Sequence, residues 1–325
     1  MSARLPLTLA CGRYDINRAL LDGSVSPRGV DLTALAYGSP ERHRLMSRYA
    51  AFDACEFSLA TYIVMHDQGA PLTAIPAFPH RRFRHSFLFV AASSDIQTPK
   101  QLEGRRVGLR SWETTAGVWL RGILHDEYDV DLKQIEWVTS DVEDVAFATP
   151  PGYSIRHVEL NSNLTALLDS GELDALIYPE TPPAAHGPAP RLRRLFADSK
   201  AEEIAYFRKT STFPIMHTVV LKSELSDRHP WLAPSLLEAF REAKKRAFGE
   251  MSDPRSVSLA WLREALDEQL EILGADPWSY DFEANRHTVE TLIRYAHEQG
   301  LISHPFPAHE LFAPAALVEL PAYVG

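Results

Sequence analysis

The chain has 325 residues, 45% hydrophobic and 23% charged, with a formal net charge of −10. An acidic chain of this kind lacks the basic face that nucleic-acid binding needs, and no apolar run approaches the ~20 residues of a membrane span. Cys11 and Cys55 are too few for a disulfide framework or a cysteine-based zinc site.

Residues 5–11 read as a first buried strand rather than a secretion signal, because the apolar run is short and contains Pro6. A cytoplasmic protein is therefore expected. Residues 12–15 form a loop into a short helix at about 16–21, and 29–35 alternate as a second strand. A helix follows at about 40–49 with its polar residues facing out. A short strand over 52–58 runs into a helix at 59–68, and 72–76 is again strand-like. This alternation signals an α/β lobe with a largely parallel sheet.

His80, Arg81, Arg82, Arg84 and His85 then crowd six positions of an acidic chain. Such a focus suits a small anion with more than one carboxylate, which Arg grips as a bidentate fork. A solvated basic turn at a strand edge is the plainer account. The neighbouring arginines are expected to lower the pKa of His85 and keep it a neutral base.

A second α/β unit over 90–205 is expected as an insertion, with 1–89 and 206–325 forming the first lobe. It starts with a strand at 86–92, a helix opened by Thr98-Pro99 and a strand at 104–109. A helix opens at Ser111-Trp112-Glu113-Thr114-Thr115 and runs to 128. Strands at 135–139 and 174–178 flank a helix at 163–170, and Pro179-Glu180-Thr181-Pro182-Pro183 is a rigid loop. The strand at 212–221 carries His217 as the chain crosses back. Helices at 230–248, 256–273 and 283–299 complete the chain, with Trp231, Trp261 and Trp278 expected as packing anchors. Their apolar surface suggests a homo-oligomer.

In open α/β sheets, ligands sit beyond the carboxyl ends of strands. That rule selects Arg13 and Tyr14, Glu56 and Ser58, Arg81 to His85, Tyr178 and Glu180, and His217. It adds Trp112, Glu113, Thr114 and Thr115 at a helix N-terminus, where N–H groups favour an anion. Two lobes joined by two crossings describe a cleft that closes on a small molecule. Each residue also has an ordinary account: Glu56 capping the next helix, His217 a satisfied core histidine, Trp112 packing, Glu113 complementing the helix dipole, and Cys55 a small buried side chain. No HExxH, P-loop or GxGxxG is present, so phosphate-bearing cofactors have no support.

Several stretches together resemble the 4,5-dihydroxyphthalate decarboxylase family over nearly the whole chain. They are Asp53-Ala54-Cys55-Glu56-Phe57-Ser58, Arg81-Arg82-Phe83-Arg84-His85-Ser86, the 104–108 glycine-bounded run and Val118-Trp119-Leu120-Arg121-Gly122-Ile123-Leu124. Tyr206-Phe207-Arg208-Lys209-Thr210, Phe213-Pro214-Ile215-Met216-His217-Thr218 and Pro230-Trp231-Leu232-Ala233 complete the set. The resemblance implies an α/β, two-lobed type 2 periplasmic-binding-protein-like fold with a ligand cleft between the lobes. It further implies a cytoplasmic carboxy-lyase that converts 4,5-dihydroxyphthalate to protocatechuate and CO2.

Such chemistry needs a base near the ring hydroxyls, a proton donor near the carboxylated carbon and a cation for the retained carboxylate. Arg81, Arg82 or Arg84 would grip that carboxylate, and His85 or His217 would deliver the proton. Glu56 or Glu113 would receive the hydroxyl proton, and Trp112 would stack on the ring. Arg13, Tyr14, Thr114, Thr115 and Glu180 complete the expected binding set. Neither pyridoxal nor flavin is expected; a divalent metal held by His and Glu stays open.

A solute-binding protein for a small aromatic or carboxylate ligand is the alternative, weakened by the missing signal peptide. A pyrimidine synthase of the thiamine-precursor type would need a cysteine-rich motif, and a ligand-sensing regulator an appended DNA-binding helix pair.

Overall fold

The computed structural model describes residues 4–253 and 255–318. The first elements are β1 (Leu5–Cys11), α1 (Arg18–Leu21), β2 (Val30–Ala36), α2 (Ser39–Tyr49), β3 (Ala54–Ser58), α3 (Leu59–Asp67) and β4 (Leu72–Arg81). Then come β5 (Leu88–Ala91), β6 (Arg106–Leu109), α4 (Thr115–Tyr128), β7 (Glu136–Thr139), β8 (Ser154–His157), α5 (Leu164–Asp169), β9 (Ala175–Ile177), β10 (Leu192–Arg194) and α6 (Ser199–Thr210). The chain continues through β11 (Ile215–Lys222), α7 (Ser223–Arg228), α8 (Leu232–Met251), α9 (Leu262–Leu273), α10 (Phe282–Glu298) and α11 (Pro314–Leu317). No described helix is long and apolar enough to cross a membrane.

The chain divides into two compact units. The first runs to Arg81, resumes over Ile215–Glu290 and takes the chain from Phe306; the second is Arg82–Pro214 with Thr291–Pro305. The crossings expected at 89/90 and 205/206 therefore fall at 81/82 and 214/215. The reason is that β4 continues past Pro76 and Pro79 to Arg81, paired with β11. It is an edge strand, where proline is tolerated. The C-terminal part also serves both units. The ring of Tyr295 fills the space a side chain at Gly122 would need, and Gln299 Oε1 accepts from Arg121 Nε at 2.7 Å.

In the first unit the sheet order is β2-β1-β3-β11-β4. β1 is parallel to β2 and β3, whereas β11 runs antiparallel to both of its neighbours, β3 and β4. β3 is buried along its whole length, and α3 behind it is apolar nearly all round, as suits a central element. Ser58 ends the strand and caps α3, accepting from Thr61 N.

In the second unit the order is β10-β5-β9-β6-β7-β8, with β5 antiparallel to β9 and β10. Phe89, Val138, Leu164, Leu168, Leu173, Leu176 and Leu192 form a core between this sheet and α5. β8, β10 and α6 were not anticipated. The helix expected from 111 opens at Thr115, and a single 3-10 turn over His85–Phe87 precedes β5. The expected anchors Trp231 and Trp261 are 43% and 72% exposed; the fully buried tryptophans are Trp112, Trp119 and Trp137.

Candidate active site

The site assembles around β11 in the first unit. Its antiparallel insertion sets His217 opposite Ser58 of β3 and opposite His80 of β4, with Val219 opposite Glu56. Register shifts on the β4 side flank His217. Such irregularities re-aim a side chain away from the regular pleat. The result is an acid–imidazole pair: Glu56 Oε1 lies 2.5 Å from His217 Nδ1.

Glu56 is fully buried and its carboxylate is held on every side. Oε2 accepts from the Gly12 amide at 2.7 Å, and Oε1 also receives Arg42 Nη2 at 3.0 Å. Arg42, likewise fully buried, donates Nε to the Glu56 carbonyl at 2.7 Å and Nη1 to the Tyr37 carbonyl at 2.6 Å. A buried carboxylate is tolerable only with this degree of pairing. A Cβ at Gly12 would stand 2.6 Å from the Tyr14 ring folded over it, so a larger residue there would displace that ring.

Two further imidazoles border His217. His43 meets it edge-on with ring centroids 4.9 Å apart, and His80 lies at 4.6 Å. Tyr14 packs on His80 at 5.6 Å. Burial, with His217 and Arg42 adding to it, holds the His43 pKa well below the usual imidazole range, so its ring is neutral. Burial and the Glu56 charge push Tyr14 up to about 12, which keeps its hydroxyl protonated. The same two causes push the Cys11 thiol up to about 12. Cys55 is raised further, chiefly by burial, so neither is a poised nucleophile.

Glu56 and His217 were expected from sequence and are brought together. Tyr14 joins them, its hydroxyl hydrogen-bonded to Glu56 and its ring on His80, whereas Arg13 is exposed. The basic run divides between the units after Arg81. Arg81 is buried, stacks on Phe78 and donates Nη2 to Asn285 Oδ1 and, at 3.1 Å, to the Ser279 carbonyl. Burial lowers its pKa to about 10.

The remaining expected residues lie in the second unit. Arg82 is exposed and, like buried Arg84, stacks on Phe87. His85 is 1% exposed, and its ring is bounded by Phe196 at 5.2 Å, Tyr206 at 5.4 Å and Tyr128 at 6.0 Å. Its pKa falls to about 4, as expected in direction, but the cause is burial rather than the arginines. Among the described residues neither ring nitrogen finds a hydrogen-bond partner.

Trp112 is fully buried with the Arg121 guanidinium 3.7 Å from its ring centroid and Trp137 and Tyr153 at its edges, so that face is covered by protein. Glu113 Oε1 accepts from the Asp144 amide at 2.8 Å, and Glu143 reciprocally accepts from the Trp112 and Glu113 amides at 2.8 and 3.2 Å. Thr114 Oγ1 donates to the Ser111 carbonyl at 3.0 Å. Thr115 is buried and Glu180 exposed.

Arg42 and His43 were missed by the sequence reading, which turned the polar residues of α2 outward. Both are buried on the same face as Met46. Among the described residues, no three His, Cys, Asp or Glu side chains are grouped to hold a metal ion.

Comparison with known proteins agrees with this architecture. An NMT1/THI5-like family model matches residues 28–150. A 4,5-dihydroxyphthalate decarboxylase of Comamonas testosteroni is 35% identical over 97% of this chain and 98% of its own. One of Pseudomonas putida is 30% identical over 64% of this chain and 83% of its own. The periplasmic aliphatic sulphonate binding protein SsuA of Escherichia coli superposes with a TM-score of 0.56 at 12% identity, covering 96% of this chain and 99% of that one. The fold is thus that of the type 2 periplasmic binding proteins, and the chain belongs to the 4,5-dihydroxyphthalate decarboxylase family.

Proposed function

We propose that the chain catalyses non-oxidative decarboxylation of a hydroxylated aromatic dicarboxylate, with 4,5-dihydroxyphthalate as substrate and protocatechuate and CO2 as products. The observation that carries the mechanism is the buried Glu56–His217 pair. Both Glu56 oxygens are engaged, so Glu56 acts through His217 rather than as a direct base. Its charge orients the ring and stabilises the imidazolium.

The His217 Nε2–H protonates the ring carbon that bears the departing carboxylate. The hydroxyl para to that carbon passes its proton to His80, which gives a dienone-like intermediate. The carbon–carboxylate bond then breaks, its electron pair restores the aromatic ring, and CO2 leaves. The phenolate recovers its proton from His80, and His217 is reprotonated from solvent, so one proton replaces one carboxylate. Neutral His43 and the protonated Tyr14 hydroxyl complete the polar wall beside His217. This proposal draws on the first unit alone. We read the setting as cytoplasmic, in keeping with the two unpaired cysteines; recovery of the native protein from the periplasm would overturn that part.

The test is to incubate the protein with 4,5-dihydroxyphthalate and follow CO2 and protocatechuate. Release of both in equal amounts is expected. The binding-protein fold favours one alternative, a solute-binding protein. A tight complex with the same compound and no CO2 would establish that reading instead.

A further inference from the structure

Tyr280, which no step above uses, is 2% exposed, and among the described residues its hydroxyl has no hydrogen-bond partner. Its mounting is unusually fixed. Three consecutive carbonyls each accept from a cationic side chain: Trp278 from Lys244 at 2.9 Å, Ser279 from Arg81 at 3.1 Å, and Tyr280 from Arg241 at 2.9 Å. Asn285 Nδ2 also donates to the Ser279 carbonyl at 3.0 Å, and the Lys244 ammonium lies 4.9 Å from the Tyr280 ring centroid.

A buried hydroxyl left without a partner is costly, and phenylalanine would fill the same space without that cost. The phenol sits in the fields of both Glu56 and Arg81. Burial and Glu56 push its pKa well above the usual phenol range, so the group it offers is an O–H donor. A donor in the field of a buried guanidinium suits an anionic oxygen, and a pre-fixed donor binds it with little loss of entropy.

We propose that Tyr280 is a substrate-binding residue whose O–H donates to the carboxylate that the aromatic acid retains, beside the Arg81 charge. This rests on the aromatic-acid reading of the site and adds the group that selects for the second carboxylate.

The experiment is calorimetric titration of the wild-type protein and Tyr280→Phe with protocatechuate, which keeps the carboxylate, and with catechol, which lacks it. Protocatechuate is expected to bind about tenfold more weakly to Tyr280→Phe, with catechol binding unchanged and Tm not lowered. Equal protocatechuate affinity in the two proteins overturns the proposal, and so does an equal loss for both ligands. Either would leave the hydroxyl to a buried water. CO2 release by the wild-type protein is scored separately, so failure of the decarboxylase reading is distinguishable from failure of the Tyr280 assignment.

Discussion

Glu56 and His217 sit on adjacent antiparallel strands, Oε1 2.5 Å from Nδ1, with Arg42 closing the other side of the carboxylate at 3.0 Å. The arrangement sets the Glu56 carboxylate directly against the imidazole. Replacing Glu56 by Gln keeps an acceptor for the Gly12 amide but removes the charge that stabilises the imidazolium. Turnover is expected to fall by about 10²–10⁴ with KM little changed, and His217→Gln to do the same. Steady-state kinetics would show the split; a KM effect alone would reassign the pair to binding.

Arg42 is a stability residue as well as an electrostatic one. Replacing it with Met leaves the buried Glu56 carboxylate uncompensated, at an expected cost of about 3–5 kcal/mol. Urea unfolding at pH 7 checks this.

Glu143 gives a pH dependence of known sign. Burial pushes its pKa up to about 7 from 4.5. The folded state therefore binds that proton more tightly than the unfolded chain does. The associated stability is complete below about 4.5 and is lost as pH rises through about 7. Glu143→Gln should be more stable than wild type at pH 8 by about 1 kcal/mol after screening, and close to it at pH 5. A thermal-melt series across that range measures it.

His85 tests whether basic residues near a strand end must be catalytic. Its aromatic surroundings and pKa of about 4 describe a neutral ring held in an apolar box. Its folded pKa lies below the unfolded 6.5, so it weakens the protein as pH falls from 6.5 towards 4. His85→Phe should keep turnover within about threefold and melt higher at pH 5, by about 1 kcal/mol. A hundredfold loss of turnover would restore a catalytic role.

The strands β1, β2 and β3 and the Glu56 and His217 positions were legible because a half-buried or buried strand announces itself by apolar neighbours on both sides of a polar residue. Arg42 was not legible. Its burial depends on a carboxylate brought in by another element, and local polarity alone turns it outward. The basic run shows another limit of local sequence: its neighbours part once β4 ends at Arg81 and the chain enters the second unit. Trp231 and Trp261 show that size and hydrophobicity do not guarantee burial at a helix entrance.

The position of β11 in the sheet has a consequence for biosynthesis. β3 and β4 are joined only through β11, and the paired Glu56 and His217 are 161 residues apart. A nascent chain therefore carries the acid, the arginine and two of the imidazoles long before the strand that sets His217 against Glu56. The second unit waits longer still, because its share of the C-terminal part, Thr291–Pro305, is made after β11. Completion of the first sheet is thus timed by the emergence of residues 215–222, and completion of the second unit by that of residues 291–305.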